Sequence, residues 1–498
     1  MAKVNVSLPQ GTRDFNAEVV RKRNYIFSTI RSVFELYGFE PLETPAMENL
    51  ETLMGKYGEE GDKLIFKILN NGDLIKGIPI NELYNSHISS FVQFINSNNE
   101  IQSKLENELK LLNTDQEIKN NDNFKKLIRD IFKDFLKDVY LTKRALRYDL
   151  TIPFARYVAM NHNQLTMPFK RYQVQPVWRA DRPQKGRYRE FYQCDADVVG
   201  SQSLLNEVEL AGIYANVFSK LGLNVEIKIN NRRILAALAE VCGGADKMTD
   251  ITVAIDKLDK IGMDKVKEEL VQRGLNNNQI TVIETYLLIN GSNHEKLQAI
   301  QTLIGHTESG KRGIEEIETL LSYPVNTETA TVVVDFTLAR GLNYYTGIIF
   351  EVKAIGVQMG SIGGGGRYDD LTGLFGVPNI PGVGISFGVD RIYDVMEELK
   401  LFPPAIHQGT QVLFFNLGDA ESRKAMELML QLRTKNISCE LFHEVAKMDK
   451  QFKYAEKKKI NTVIIIGANE LQNGTCNVKY LATGEQVSIR LEELSDRF

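Results

Sequence analysis

The side chains best suited to chemistry lie on one stretch of the chain, Phe169–Gly200. Its two aspartates, Asp195 and Asp197, are spaced two apart and therefore share one face of a strand. Its arginines carry forked N–H donors that suit phosphates and carboxylates. Those at the centre of the stretch are Arg179, Arg182, Arg187 and Arg189. The stretch could bind an anion beside two carboxylates, although an exposed, charge-balanced loop would have the same composition.

The elements that would position these side chains are the two arms of a β-hairpin. Apolar or alternating segments flank a centre, RADRPQKGRYRE, that is too charged to be buried. We therefore expect buried arms and a solvated tip that carries the arginines.

Cysteines and histidines offer no metal site and no general base in this sequence. No two cysteines form a CxxC pair, and no two histidines form an HxxxH or HExxH pair. We expect reduced cysteines and no bound zinc. The residues concerned are Cys194, Cys242, Cys439, Cys476, His87, His162, His294, His306, His407 and His443.

The composition is that of a globular protein with several domains: 498 residues, of which 43% are hydrophobic and 25% charged. No apolar run approaches the roughly 20 residues that span a bilayer, and the N-terminus shows no secretory signal. We therefore expect a cytoplasmic protein without membrane contact. The net charge of −4 means that any RNA contact must use local basic patches.

Hydrophobic patterning divides the chain into segments of different character. Residues from about 70 to 138 are rich in Asn, Lys, Glu, Asp and Ile, and predict a helical insertion whose purpose the sequence does not show. Residues from about 231 to 326 are again helix-rich. From 405 to 498 strand and helix patterns alternate, which predicts a compact α/β domain.

Six short motifs occur between residue 11 and residue 392. They are GTRDF (Gly11–Phe15), LRYDLTIPFARY (Leu146–Tyr157), RYREFYQCD (Arg187–Asp195), LARGLNYYTG (Leu338–Gly347), GGGGRYDDL (Gly363–Leu371) and GVGISFGVDRI (Gly382–Ile392). Together they resemble the class II aminoacyl-tRNA synthetases, and most specifically the histidyl-tRNA synthetase family. The hairpin resembles motif 2 of that class.

The resemblance implies a fold class and a reaction. The fold would be α/β (α+β), with a class II catalytic domain at 1–400 built on an antiparallel sheet and interrupted by the two helical insertions. An anticodon-binding domain would follow at 405–498. The enzyme would join L-histidine to tRNA(His) with ATP, releasing AMP and pyrophosphate, with Mg²⁺ on the phosphates. A predicted helix at Asn16–Tyr37 and the extended segment after it resemble the motif that forms a homodimer.

The resemblance also assigns residues to ATP. Arg179 would hold the histidine carboxylate and the α-phosphate, and Arg391 the γ-phosphate. Asp181 and Arg187 would contact the nucleotide, and Phe191 would stack on adenine. For Arg391, simple solvation at a helix N-terminus remains the alternative.

The histidine-binding positions by resemblance are Asp149, Leu150, Thr151, Arg179, Gln193, Asp197, Arg340, Tyr344 and Tyr345. Arg340 and Arg179 would be catalytic, because a guanidinium can contact carboxylate and phosphate together. Asn343 stands where the family usually has Asp. Asp149 could instead cap a turn before Pro153, and the tyrosines could be core residues.

Two further features of the sequence each allow more than one interpretation. Gly363–Gly366 lack the Lys-Ser/Thr of a phosphate loop, so we expect close backbone approach beneath a ligand instead. A run of lysines near residue 450 could be a solvated face or a phosphate contact; it comprises Lys447, Lys450, Lys453 and Lys457.

Two other functions are compatible with this scaffold. One is a histidine-sensing regulatory paralogue of the family, which usually lacks the C-terminal domain and several motif residues that this chain retains. The other is a synthetase for a different amino acid, such as proline or threonine, which Arg340 with the paired tyrosines argues against.

Overall fold

The computed structural model describes residues 6–56, 61–69, 95–96, 98–110, 121–124, 126–127, 131, 142–339, 344–407 and 409–498. Arg340, Asn343 and most of the predicted insertion at 70–138 lie outside the described residues. The chain divides into two compact units. One is Arg23–Leu401 with the N-terminal segment up to Asp14, and the other is Phe402–Phe498 with Phe15–Lys22.

The strands of the first unit, in chain order, are β1 (Glu40–Pro41), β2 (Met47–Asn49), β3 (Lys67–Ile68), β4 (Arg144–Leu146), β5 (Phe169–Trp178), β6 (Glu190–Val199), β7 (Val225–Asn231), β8 (Ala330–Val334), β9 (Ile348–Ala354), β10 (Gly363–Tyr368) and β11 (Gly382–Gly388). Eight strands of the described chain form one sheet in the order β1-β5-β6-β11-β10-β9-β7-β8. The outer pairs β1–β5 and β7–β8 are parallel, and the pairs between them are antiparallel. A small antiparallel sheet contains β2, β4 and β3.

The helices, in chain order, are α1 (Ala17–Leu36), α2 (Leu50–Leu53), α3 (Asn99–Leu109), α4 (Thr151–Asn161), α5 (Leu205–Lys220), α6 (Arg232–Val241), α7 (Met248–Asp256), α8 (Leu258–Gln272), α9 (Asn277–Leu287), α10 (Asn293–Ile304), α11 (Glu308–Leu321), α12 (Val389–Glu398), α13 (Asp419–Thr434), α14 (Met448–Lys457) and α15 (Ala468–Asn473). Helices α6 to α11 fill the stretch that the sequence predicts to be helix-rich. Side-chain caps begin several of them, with capping boxes at Asn276 and Ser292. Whether 231–326 is a domain of its own stays a prediction. No helix in the described segments combines the length and apolar composition of a membrane span.

The predicted hairpin is confirmed: β5 and β6 are its arms, in antiparallel register from Phe169 to Val199. One face of this hairpin packs on helices. Phe34 of α1 lies 5.5 Å from the ring of Tyr172 and 5.8 Å from the ring of Phe387. Helix α5 adds Tyr214, whose ring is 4.8 Å from Phe387. The hydrophobic residues on this face therefore hold the hairpin and β11 in place.

The other face of the same strands is polar, because alternate residues of β5 and β6 point away from the helices. Three cross-strand pairs share it, and we call them the polar ladder: Arg171–Asp197, Gln173–Asp195 and Gln175–Gln193. The predicted common face of Asp195 and Asp197 is confirmed. On the next strand Ser386 lies opposite Asp195, and Gly384 lies opposite Asp197.

Glycines in β10 and β11 allow neighbouring strands and side chains to approach closely. A Cβ on Gly384 would lie 1.9 Å from Asp197 Oδ1, and one on Gly365 would lie 2.2 Å from the carbonyl oxygen of Gly384. A Cβ on Gly364 would meet nothing closer than 3.4 Å. Close strand packing therefore requires glycine at position 365, whereas position 364 has open space.

The second unit contains an α/β sheet of the kind that the sequence predicts. Its strands are β12 (Val412–Phe414), β13 (Cys439–Leu441), β14 (Thr462–Ile465), β15 (Thr475–Tyr480) and β16 (Gln486–Arg490), in the order β13-β12-β14-β15-β16. The first three are parallel and the last two antiparallel. The predicted fold class is confirmed for both units.

The two glycines provide a matched test of this packing. We expect Gly365→Ala to lower the free energy of unfolding by about 3 kcal/mol or more, because its methyl group overlaps backbone that cannot move. Gly364→Ala should change it by less than about 1 kcal/mol, since the space is open and a strand favours alanine over glycine. Urea unfolding of both variants measures this. Equal losses would show that the glycine spacing does not matter.

Candidate active site

A cleft of about 390 Å³ opens on the polar face of the sheet, between the hairpin tip, β10 and the start of α12. Its floor includes Gln193, Gly364 and Ser386. The predicted site residues that line it are Arg179, Asp181, Arg187, Phe191, Gln193, Tyr345 and Arg391. The structure thus brings together all five residues assigned to ATP and part of the set assigned to histidine.

Three arginines, Arg179, Arg187 and Arg391, converge at this cleft. Burial lowers the pKa of Arg391 from its ordinary value, and the charges of Arg187 and Arg179 lower it further. The like charges therefore lie close enough to repel one another, and a bound anion would relieve this repulsion.

Main-chain carbonyls hold two of these arginines. Arg391 donates from Nε to Gly186 O at 2.7 Å and from Nη1 to Ser361 O at 2.6 Å. Arg179 donates from Nε to Tyr148 O at 3.1 Å. A carbonyl fixes the direction of a guanidinium without cancelling its charge, so both keep their attraction for an anion.

Arg179 is also fixed by two aromatic rings. Its Cζ lies 4.3 Å from the ring centroid of Tyr148 and 5.2 Å from that of Phe191. Arg187 has a looser environment, with Nη1 3.6 Å from Asp181 Oδ1. Arg182 is exposed at the tip, and Arg189 donates to the carbonyl of Asp181 rather than lining the cleft.

Gln193 offers an acceptor to the cleft. Its Nε2 donates to Ser386 Oγ at 2.9 Å. Its Oε1 is buried and has no hydrogen-bond partner in the described part of the chain. A buried acceptor without a partner is costly, so this oxygen is suited to a ligand that donates, such as an ammonium group.

Of the histidine-binding candidates that the structure describes, none besides Arg179, Gln193 and Tyr345 is among the residues that line the cleft. Asp149 is buried, and its Oδ1 accepts from the backbone N–H of Ile152 at 3.1 Å, so the alternative role as a cap is present. Its Oδ2 accepts from Tyr344 Oη at 3.5 Å. Leu150 is buried and Thr151 begins α4. The position of Arg340 lies outside the described residues.

The two tyrosines differ in their exposure to the cleft. Their rings pack edge to face with centroids 5.0 Å apart, but only Tyr345 is among the cleft-lining residues described. Tyr344 packs against Tyr368, which donates from its hydroxyl to Asp197 Oδ1 at 2.5 Å. Tyr344 and Asp197 therefore belong to the layer that supports the cleft.

Arg171 was not predicted from the sequence, yet it is the cation of the polar ladder. Its side chain is 0% exposed, and Nη2 lies 2.8 Å from Asp197 Oδ2 and 3.4 Å from Leu150 O. The signal for it was its register opposite Asp197, which becomes visible only when the hairpin is paired. Ser386 and Glu351 were also missed; both line the cleft.

Asp195 is the second buried carboxylate of the ladder. Burial raises its pKa from 3.8 to about 7; Arg171 opposes this rise, and the neighbouring Asp197 adds to it. Burial also raises the pKa of Asp197, against Arg171 and the Tyr368 hydroxyl. One buried cation thus serves two buried carboxylates, and Asp195, with its pKa raised to about 7, retains a proton in the folded chain below neutral pH.

This arrangement predicts a pH dependence of stability. Between pH 4 and pH 7 folded Asp195 holds a proton that the unfolded chain has released, so stability falls as pH rises through this range. Asp195→Asn mimics the neutral acid and removes this loss. We expect its free energy of unfolding, relative to wild type, to rise by about 2 kcal/mol or more from pH 5 to pH 8. Denaturant unfolding at both pH values, with Asp264→Asn on the exposed face of α8 as the control, measures this; a constant difference would contradict it.

The comparisons with known proteins agree with the geometry. Residues 122–392 match the family model for histidyl-tRNA synthetase, and residues 411–498 match that for an anticodon binding domain. A histidine–tRNA ligase of Bacteroides fragilis is 50% identical over 492 residues, which cover 98% of this chain and 97% of the relative.

Solved structures show the same relationship. The crystal structure of histidyl-tRNA synthetase from Nostoc sp. PCC 7120 is 30% identical, covers 100% of both chains and has a TM-score of 0.74. A structure described as an ATP phosphoribosyltransferase regulatory subunit/histidyl-tRNA synthetase from Bacillus halodurans C shares the fold at 20% identity, with a TM-score of 0.66 over 91% of this chain and 97% of that one. From its family model, its full-length relatives and its fold, the chain belongs to the histidyl-tRNA synthetase family.

Proposed function

We propose that this chain activates L-histidine with ATP and transfers it to tRNA(His). The observation that carries the proposal is the cleft itself, in which three arginines face a floor with an unpartnered amide oxygen. The arginines suit a triphosphate, and the amide oxygen suits the ammonium group of an amino acid. Membership of the histidyl-tRNA synthetase family makes histidine the amino acid.

The first half-reaction needs charge stabilisation more than proton transfer. A carboxylate oxygen of histidine forms a bond to the α-phosphorus, and the bond from that phosphorus to the β-phosphate bridge breaks, releasing pyrophosphate. Arg179, which lines the cleft, would contact the carboxylate and the α-phosphate and stabilise the charge that develops between them. Arg340 would act beside it; its role stays a prediction.

The rest of the nucleotide would follow the cleft. Arg391 would hold the γ-phosphate, Arg187 and Asp181 the nucleotide, and Phe191 the adenine ring. These roles are supported by the common cleft that these residues line.

Mg²⁺ fits this site as an ion carried mainly by the phosphates. The described residues contain no group of three metal-ligating side chains, but Glu351 lines the cleft. Its carboxylate lies 3.7 Å from Lys353 Nζ and could also hold a phosphate-bound Mg²⁺. When bound, the ion would neutralise phosphate charge.

Histidine would lie over the polar ladder. Gln193 Oε1 would accept from the ammonium group, and Tyr345 would form part of the wall around the imidazole. Asp149, Leu150, Thr151, Asp197 and Tyr344 would complete and support this pocket. Asp197 and Tyr344 act from behind the cleft surface in this proposal.

For the tRNA and for a second subunit, we propose what membership of the family implies. The second unit would bind the anticodon of the tRNA, for which the lysines of α14 are candidates because Lys450, Lys453 and Lys457 lie on one exposed helix. A homodimer would form through α1 and β1. Localisation in the cytoplasm stays a prediction.

The test of the function is ATP–pyrophosphate exchange with each of the twenty amino acids, followed by charging of tRNA(His). We expect exchange with histidine and charging of that tRNA. Exchange with another amino acid instead of histidine would overturn the proposed specificity for histidine. Histidine binding without any exchange would favour the regulatory role.

Gln193→Leu tests the amino-acid end of the cleft. Loss of the acceptor should raise the KM for histidine by about 10- to 100-fold, equivalent to about 1–3 kcal/mol, and change the KM for ATP little. Gln298→Leu, the same exchange at an exposed position of α10, is the matched control. An unchanged histidine KM in Gln193→Leu would place the ammonium elsewhere.

A further inference from the structure

The hairpin tip carries part of the ATP end of the cleft but has little sheet structure of its own. The arms end at Trp178 and Glu190, and the described bridge beyond them is a single pair, Gln184–Arg187. A loop this charged would move unless other parts of the chain held it. Contacts from other parts of the chain therefore add to the few that the tip makes within itself.

One source of these contacts is the segment Pro9–Arg13, which we call the N-terminal strap. Gly11 accepts from the backbone N–H of Arg189 at 2.9 Å, and Gln10 O accepts from Arg189 Nη1 at 3.4 Å. Gly11 has φ +85°, and a Cβ there would lie 2.8 Å from Arg189 Cγ and 2.9 Å from Pro183 Cγ. The strap can approach the hairpin this closely only because residue 11 is glycine.

Arg13 links the hairpin to the start of α12. Its Cζ lies 3.2 Å from the ring centroid of Tyr188, so the guanidinium stacks on the ring. Its Nη2 also donates to Asp390 Oδ1, as does Nη1 of Arg23. Asp390 is buried, and its Oδ2 accepts from the backbone N–H of Tyr192 at 3.1 Å.

These contacts converge on the residue proposed to bind the γ-phosphate. Arg391 follows Asp390 in the chain and donates to Gly186 O at the hairpin tip. The hydroxyl of Tyr188 donates to Asp394 Oδ2 of α12 at 3.1 Å. Arg13 thus fixes the distance between two elements, the hairpin tip and α12, that must enclose one triphosphate between them.

We propose that Arg13 is a positioning residue for ATP, and that the N-terminal strap holds the hairpin tip in its nucleotide-binding position. The proposal rests on the proposed function and deepens it, since it assigns a task to the GTRDF motif. Arg13 does not line the cleft and acts through Tyr188, Asp390 and Arg391. Its loss should therefore affect ATP and leave the histidine end largely intact.

The experiment compares the wild-type chain with Arg13→Met, Arg13→Lys and Gly11→Val, and with Arg312→Met as the same charge removal on the exposed face of α11. Pyrophosphate exchange gives the KM for ATP and for histidine separately, and hydrogen exchange reports on the hairpin tip. Arg13→Met should raise the KM for ATP by about tenfold and that for histidine by less than about twofold. Arg13→Lys should raise the KM for ATP less than Arg13→Met does, because lysine can pair with Asp390 but stacks less well on Tyr188.

Hydrogen exchange should quicken in residues 183–192 of Arg13→Met and Gly11→Val, with the rest of the sheet unchanged. Equal rises of both KM values, or unchanged ATP kinetics in a folded Arg13→Met protein, would overturn the proposal. If Arg13→Met did not fold, Gly11→Val and Arg13→Lys would still decide it by the same ratio of KM values. Absence of histidine activation in wild type would instead refute the proposed function, so the two failures are distinguishable.

Discussion

The ion pair between Arg171 and Asp197 is the interaction on which the polar face of the sheet depends. Both side chains are buried, and Asp195 adds a second carboxylate on the same face of the sheet. Buried carboxylates without a cation would take up protons or destabilise the fold. Removing one member of a buried ion pair lowers the free energy of unfolding by about 3–5 kcal/mol. Without Arg171, this face of the sheet could not bury two carboxyl groups at so little cost. Gly384 is the second condition, because any side chain there would occupy the position of the Asp197 carboxylate.

The two ends of the cleft handle charge in opposite ways. At the proposed amino-acid end, the Asp197 carboxylate is paired with Arg171, a cation that belongs to the protein. At the nucleotide end, Arg179 and Arg391 are directed by main-chain carbonyls, which leaves their positive charge to be matched by the ligand. This contrast explains how one sheet face can serve a cationic group and a polyanion a short distance apart. A bound polyanion would therefore relieve a repulsion between arginines that is already present in the folded chain.

The hairpin and many residues of the cleft could be predicted from the sequence, because the patterns that indicate them lie within short segments. The alternation of β5 and β6 around a charged centre predicts the hairpin, and the motif matches predict which residues of it share a site. What the sequence could not show depends on pairing between distant segments. Arg171 is important only because register places it opposite Asp197, and Gly365 only because β11 lies against it. Asp149 fits the cap interpretation, since its Oδ1 accepts from the backbone N–H of Ile152 in the first turn of α4. Its Oδ2 accepts from Tyr344, and its role in binding histidine stays a prediction. The assignment of Arg340 stays a prediction.

The central claim is that a single cleft holds ATP against its arginines and histidine over the polar ladder. A crystal structure with a non-hydrolysable analogue of histidyl-adenylate tests it most directly. The account predicts the adenine on Phe191, the group that replaces the α-phosphate beside Arg179, and the ammonium within hydrogen-bond distance of Gln193 Oε1. An analogue bound in the reverse direction, or with its ammonium away from the Gln193 side of the cleft, would contradict the account.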